Sequence, residues 1–134
     1  MLETGQLTRL QSAVGLRAAI RIINGWQATS GQACKILRIS ASTYRRASNS
    51  HDSMTRLDRD QQQRLGLVLG IHAALRTIFD NPANVRGFPR FKNENLFFEG
   101  RCPLEIMSRG DMISLYETYR RIEHLTRGDF TGHL

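Results

Sequence analysis

Apolar residues recur at helical spacing along nearly the whole chain, and no stretch shows the strict alternation of a half-buried strand. Leu16, Ile20 and Ile23 fall on one face of a first predicted helix, which Gly25 ends. A longer helix is predicted from about residue 59 to residue 79, because one face carries Leu65, Val68, Ile71, Leu75 and Ile78. The sequence therefore predicts an all-α fold.

Capping residues mark two short helices between these longer ones. Thr29 or Ser30 caps a helix with three inward apolar residues, Ala33, Ile36 and Leu37. Ser40 caps the next, from about residue 41 to residue 48. The polar stretch 47–53 predicts a connector. We therefore divide the chain into an N-terminal unit, residues 1–57, and a C-terminal helical unit, residues 58–134.

Two prolines and an aspartate begin the later helices. Pro82 and Pro103 suit the first turn of two short helices, and Asp111 caps a last helix that Gly128 ends. The predicted inner side of this last helix carries Met112, Leu115, Tyr116, Tyr119, Ile122 and Leu125. Between the short helices, residues 87–100 form an irregular segment with four phenylalanines that we expect in the core: Phe88, Phe91, Phe97 and Phe98.

Positive charge is concentrated in the first half of the chain. The net charge is +7. Residues 1–67 contain ten Lys and Arg against four Asp and Glu, whereas residues 68–134 contain nine against eight. A solvated basic face without a partner is the simplest interpretation, but this uneven distribution favours a polyanion as partner of the first half.

Residues 30–48 have the outline of a helix-turn-helix, with small residues where the two helices approach each other. In this motif the second helix lies in the major groove. We expect Ser42, Arg45 and Arg46 to face base edges, while Thr43 or Tyr44 packs back. The remaining candidate DNA-binding residues, nearer the phosphates or the turn, are Ser30, Gln32, Lys35, Ser40 and Thr43.

Two positions depart from the usual form of this motif. Arg38 stands where a glycine normally takes the left-handed turn, at a cost of about 1 kcal/mol. Ala47 stands where a large aromatic residue is usual. The alternative is therefore a plain helical hairpin with a basic edge.

The sequence offers no set of residues for catalysis or for a metal ion. The four histidines form no i, i+4 pair, and Cys34 and Cys102 lack the paired spacing of a zinc site. We expect no enzyme activity, no cofactor and no metal. The N-terminus does not look like a secretory signal, and the apolar run 65–75 is too short to cross a bilayer. We therefore expect a cytoplasmic protein that does not bind membranes.

The segment Gly100-Arg101-Cys102-Pro103-Leu104-Glu105 follows an asparagine-containing loop and precedes Gly110. This pattern resembles the Gly-Arg-x-Pro-Leu-Glu signature of the Xre/MbcA/ParS-type antitoxin family. Residues 70–75 resemble the central helix of that family, and residues 33–46 resemble its helix-turn-helix. The resemblance spans about residues 16–128.

This resemblance implies the antitoxin of a type II toxin–antitoxin system. Members dock on RES-type toxins, which degrade NAD, and occlude the active site; they form dimers, and many repress their own operon. Gly100 and Pro103 are expected to shape the turn, and Leu104 and Met107 to be buried together. The candidate toxin-binding residues are Arg101, Arg120, Arg121, Arg127, Phe130 and Leu134.

Two other functions remain open at this point. In the first, the chain is a stand-alone transcriptional regulator whose second half only dimerises. In the second, it is a protein adaptor that no longer binds DNA. The departures at Arg38 and Ala47 are the features that favour an adaptor.

Overall fold

The computed structural model describes residues 7–49, 55–93 and 98–127. Across these ranges the chain forms seven α-helices and one 3-10 turn, and no strand occurs. The all-α prediction is confirmed. The helices are α1 (Arg9–Gly25), α2 (Ser30–Leu37), α3 (Ala41–Asn49), α4 (Arg59–Ile78), α5 (Pro82–Gly87), α6 (Pro103–Met107) and α7 (Met112–Leu125), and the 3-10 turn is Phe88–Arg90.

Side-chain caps explain where most of these helices begin. Three helices start with the same reciprocal capping box, in which a Thr or Asp and a Gln three residues later satisfy each other's backbone amides. The pairs are Thr8 with Gln11, Thr29 with Gln32, and Asp58 with Gln61. The cap of α2 is therefore Thr29, not Ser30. Ser40 and Asp111 cap α3 and α7 as expected, since each accepts a hydrogen bond from the amide three residues on.

Helix α4 is the centre of the molecule and packs against α1 on one side and α7 on the other. Val68, Ile71 and Leu75 of α4 are fully buried. One hydrophobic core runs from Leu16 of α1 to Ile122 of α7 without a break. The division at residue 57 stays a prediction, and the two units share this core.

Helices α4 and α7 approach closely at Gly70. A Cβ atom added there would lie 2.9 Å from Cε1 of Tyr119. The missing side chain lets the tyrosine ring lie directly on the α4 backbone.

Two aromatic residues lie outside the core that the sequence predicted for them. Tyr116 is 44% exposed, because Leu115, Thr118 and Ile122 define the inner face of α7 and residue 116 lies about 100° around the helix from Leu115. Phe91 is 57% exposed and lies under the guanidinium of Arg90. By contrast, Phe88, Phe98, Leu104 and Met107 are buried as predicted. Phe97 and Gly128 lie outside the described residues.

Candidate nucleic-acid interface and partner surface

The turn between α2 and α3 contains the left-handed residue that the motif requires. Arg38 has φ 55° and ψ 49°, and its amide donates to the carbonyl of Cys34. The next amide, of Ile39, donates to the same carbonyl at 3.0 Å. The usual turn therefore forms without glycine.

The start of α4 holds Arg38 in this conformation. Its guanidinium contacts the carboxylates of Asp58 and Asp60, each at 2.5 Å, and its carbonyl accepts a hydrogen bond from Nε2 of Gln61 at 2.9 Å. The Gln61 amide and then Arg38 lower the pKa of Asp58. Burial opposes ionisation of Asp60, but hydrogen bonds from Arg38 and Arg64 outweigh it and lower the pKa of that carboxyl. Both aspartates are therefore anionic partners of the turn at neutral pH.

A buried arginine connects this turn to the C-terminal helices. Arg64 of α4 is 5% exposed, and its Nε donates to Asp60 at 2.9 Å. Its Nη1 donates to the carbonyls of Gly110 at 2.7 Å, Ile36 at 3.3 Å and Lys35 at 3.4 Å. One side chain thus joins the end of α2 to the residue two before α7. The residues predicted from the sequence did not include Arg64. The signal that could have identified it as a buried arginine is its position beside the apolar stripe of the long helix.

Helix α3 presents a polar, basic outer face. Ser42, Arg45 and Arg46 are all exposed, as expected of a helix that reads bases. Tyr44 packs back instead, and its hydroxyl donates to Oδ1 of Asn24 at 3.1 Å. Ala47 is buried in the shared core.

Some of the other predicted DNA-binding residues have exposed side chains, and others form hydrogen bonds within the protein. Ser30 and Lys35 are exposed on α2. Oε1 of Gln32 accepts the Thr29 amide at 2.9 Å, which leaves its NH₂ group to donate outward. Ser40 caps α3 and donates to the hydroxyl of Thr43 at 2.9 Å, so these two residues hold the turn together.

Helices α2 and α3 enclose a groove of about 470 Å³ that has both Ser30 and Arg45 among its lining residues. The structure therefore brings Arg45, which is predicted to face base edges, and Ser30, which is predicted to lie nearer the phosphates, to one surface. Between residues 4 and 51 the sequence contains seven Lys and Arg and no Asp or Glu. An acid-free segment of this kind attracts the phosphates of nucleic acid.

The outer face of α7 differs in character from this basic surface. Arg120 and Arg121 are exposed there. Oε1 of Glu117 lies 3.9 Å from Nη2 of Arg121, and Arg127 pairs with Glu123 at 3.2 Å. Two predicted toxin-binding residues, Phe130 and Leu134, lie outside the described residues.

Two exposed apolar side chains on this face were absent from the sequence-based set. Ile113 is 74% exposed, and Tyr116 lies one turn further along the same helix. The phase of the helix, set by the buried Leu115 and Ile122, was the signal that would have placed both outside. We call Ile113, Tyr116, Arg120 and Arg121 the α7 face.

The Gly-Arg-x-Pro-Leu-Glu segment builds the turn into α6. Gly100 has φ +78°, and Pro103 lies in the first turn of the helix. Oε1 of Glu105 accepts the Cys102 amide at 3.1 Å, and this hydrogen bond is the main reason for the lowered pKa of Glu105. Arg101 is exposed beside the turn. The segment therefore has a structural role, with Arg101 as its outward-facing charge.

Within the described ranges, no group of three or more His, Cys, Asp or Glu is placed to hold a metal ion. Burial raises the pKa of both the Cys34 and Cys102 thiols, which are unpaired cysteines. No helix in the same part of the chain is long and apolar enough to span a bilayer.

Residues 5–70 match the family model described as the antitoxin Xre-like helix-turn-helix domain. This segment is an antitoxin Xre-like helix-turn-helix domain. The resemblance to the Xre-type antitoxin family is confirmed through it. No curated protein and no solved structure matches the chain.

The antitoxin domain extends beyond the helix-turn-helix itself. It covers α1 to α3 and α4 as far as Gly70, and so includes Asp58, Asp60 and Arg64. The residues that clamp the left-handed turn therefore belong to the domain that contains the turn. The α7 face lies outside the matched residues.

Proposed function

We propose that this chain is the antitoxin of a type II toxin–antitoxin system, with a DNA-binding surface on α2 and α3 and a toxin-binding surface on the α7 face. It acts in the cytoplasm as a homodimer, binds without catalysis or cofactor, and represses its own operon. The observation that carries the proposal is the antitoxin Xre-like helix-turn-helix domain at residues 5–70.

The DNA-binding part rests on exposure and charge. Arg45 and Arg46 face outward from α3, and no carboxylate occurs between residues 4 and 51 to compete with phosphates. The departure at Arg38 does not argue against this role, because Asp58, Asp60 and Gln61 hold the left-handed turn. Arg45 and Arg46 then read guanine edges, while Lys35 contacts phosphate.

Fluorescence anisotropy with DNA from upstream of the chain's own gene tests this part. We expect Arg45→Ala with Arg46→Ala to weaken binding at least about tenfold, since a good base contact is worth about 1–3 kcal/mol. Arg59→Ala is the matched control, because Arg59 is exposed on α4 and outside the candidate set. Equal affinity of the double variant and the control would exclude α3 as the reading helix.

The toxin-binding part rests on the α7 face. Large exposed apolar residues surrounded by charge are typical of protein interfaces, and Ile113 and Tyr116 lie one turn apart beside Arg120. In this proposal the partner is a RES-type, NAD-degrading toxin, whose active site α7 and the residues after it occlude. Arg101, Arg127, Phe130 and Leu134 are further candidate contacts.

Co-purification with the product of the adjacent gene tests the partner. The full chain is expected to retain that protein on an affinity column, and Ile113→Ala with Tyr116→Ala to reduce its recovery at least tenfold, as for two interface hot spots. Val14→Ala, an exposed apolar residue on α1, is the control. If the adjacent product does not bind and size-exclusion chromatography shows only a dimer that the double variant disrupts, the chain is a stand-alone regulator.

A further inference from the structure

A cavity of about 530 Å³ lies between α1, the second half of α4, and α5. Its apolar lining includes Ile22, Trp26, Phe79 and Val85. None of the residues that line it belongs to α2, α3 or α7. It is therefore a third surface, separate from the two that the proposed function uses. We call it the cationic cavity, because three arginines also line it.

Three guanidinium side chains line the cationic cavity: Arg21, Arg76 and Arg86. The single carboxylate among the lining residues is Asp80, so the lining has a net charge of +2 with His72 neutral. Within the described ranges, none of the three guanidinium groups forms a salt bridge or a side-chain hydrogen bond. Like charges gathered around one apolar hollow repel each other, and a bound anion relieves that repulsion.

Two further residues of the lining are Gly25 and His72. A Cβ atom on Gly25 would lie 3.4 Å from Cδ of Arg86, an ordinary van der Waals distance, so this side chain lies against the end of α1. Burial, and secondarily Arg76, lower the pKa of His72, so its ring is neutral at neutral pH and offers one donor and one acceptor.

We propose that the cationic cavity binds a small organic anion with a flat apolar body, either a carboxylate or a phosphate monoester. The volume lies within the range of small-molecule sites, about 300–1,000 Å³. Guanidinium groups match the paired oxygens of carboxylates and phosphates, and the apolar wall accepts the body of the ligand. This ligand site is independent of DNA and of the toxin.

The fluorescence of Trp26 gives a readout of the environment of the cavity, because this residue, 1% exposed, lies in the cavity wall and is the only tryptophan in the sequence. Benzoate and phenyl phosphate are titrated into the full chain, beside phenol, which lacks the charge, and inorganic phosphate, which lacks the ring. We expect saturable binding of benzoate or phenyl phosphate, with phenol and inorganic phosphate at least about tenfold weaker. The stronger of the two anions identifies the headgroup.

Charge-removing variants test whether the arginines carry this binding. Arg21→Gln with Arg76→Gln is expected to weaken the stronger anion about tenfold or more, and each single variant less. Both residues are exposed, so the fold is retained. Arg59→Gln removes the same charge from α4 outside the cavity and is expected to change nothing. The proposal is overturned if neither anion saturates, if phenol binds as tightly as benzoate, or if the double variant binds like the Arg59→Gln control.

Discussion

Replacement of Arg64 by Met tests the link between the turn of the helix-turn-helix and the C-terminal helices. Methionine keeps an unbranched stem of similar length in the core but removes every hydrogen bond of the guanidinium. The strongest of these bonds is to the Gly110 carbonyl at 2.7 Å, and those to Ile36 and Lys35 are longer than 3.2 Å. The bond to Asp60 is partly exposed to solvent.

The expected cost follows from these contacts. A charge-assisted hydrogen bond such as the one to the half-buried Gly110 carbonyl is worth about 1.5–3 kcal/mol, and the two long bonds add about 1 kcal/mol together. The ion pair with Asp60 adds about 0.5 kcal/mol, because its carboxylate is partly solvated and also pairs with Arg38. We therefore expect Arg64→Met to lower the free energy of unfolding by about 3–4.5 kcal/mol.

Urea denaturation followed by circular dichroism measures this free energy. Arg59→Met on the same helix is the control and is expected to change it by no more than about 0.5 kcal/mol. A loss below about 1 kcal/mol for Arg64→Met would refute the reasoning, because the carbonyls would then have other partners. Arg64→Lys is expected to recover less than half of the loss, since one ammonium cannot reproduce the guanidinium fork.

Three further predictions concern stability and DNA affinity. Gly66→Ala is expected to raise the free energy of unfolding by about 0.5–1 kcal/mol in urea melts, because Gly66 lies inside α4 and a Cβ atom there meets no atom within 4 Å; destabilisation would show that α4 is not a continuous helix there. The two aspartates at the start of α4 have lowered pKa values, so their contribution to stability is present above the unfolded carboxyl pKa of about 3.9 and is lost as the pH falls through their folded values. Between pH 5 and pH 3, thermal melts are expected to show a smaller loss of stability in Arg38→Ala than in the wild type. An equal loss would contradict the ion pairs of Arg38 with Asp58 and Asp60 as the source of this stability. Lys35→Ala is expected to reduce the slope of the logarithm of the DNA-binding constant against the logarithm of the salt concentration by about 0.9 for all DNA sequences, whereas Arg45→Ala reduces discrimination between sequences. Anisotropy titrations measure both, and the reverse pattern would contradict the assignment of Lys35 to phosphate and of Arg45 to bases.

The helices and their starts were accessible from the sequence because both depend on local information. Apolar spacing fixed the inner faces of α1 and α4, and residues such as Ser40 and Asp111 satisfy the first amides of their own helices. The exposure of Arg45 and Arg46 followed from the outline of the helix-turn-helix, whose second helix faces outward.

The contacts of Arg38 and Arg64 were not accessible, apart from the pair that Arg64 forms with Asp60 four residues before it, because their other partners lie 20 to 46 residues away along the chain. From the sequence, Arg38 at the left-handed position is an unfavourable departure from the motif. In the structure, its ion pairs with Asp58 and Asp60 stabilise this conformation. Tyr116 was misplaced for a different reason: it was assigned to the core as an aromatic residue next to a buried leucine, although the helical phase set by Leu115 and Ile122 places residue 116 outside.

Growth rescue in cells that express the adjacent gene tests most directly whether one chain keeps DNA binding and toxin binding on separate surfaces. The measurement compares the wild type with two variants, Arg45→Ala with Arg46→Ala, and Ile113→Ala with Tyr116→Ala. We expect the first variant to protect the cells as fully as the wild type while its operator is derepressed, and the second to leave them unprotected while the chain still binds operator DNA in vitro. Loss of protection by the arginine variant, together with full protection by the α7 variant, would contradict this division.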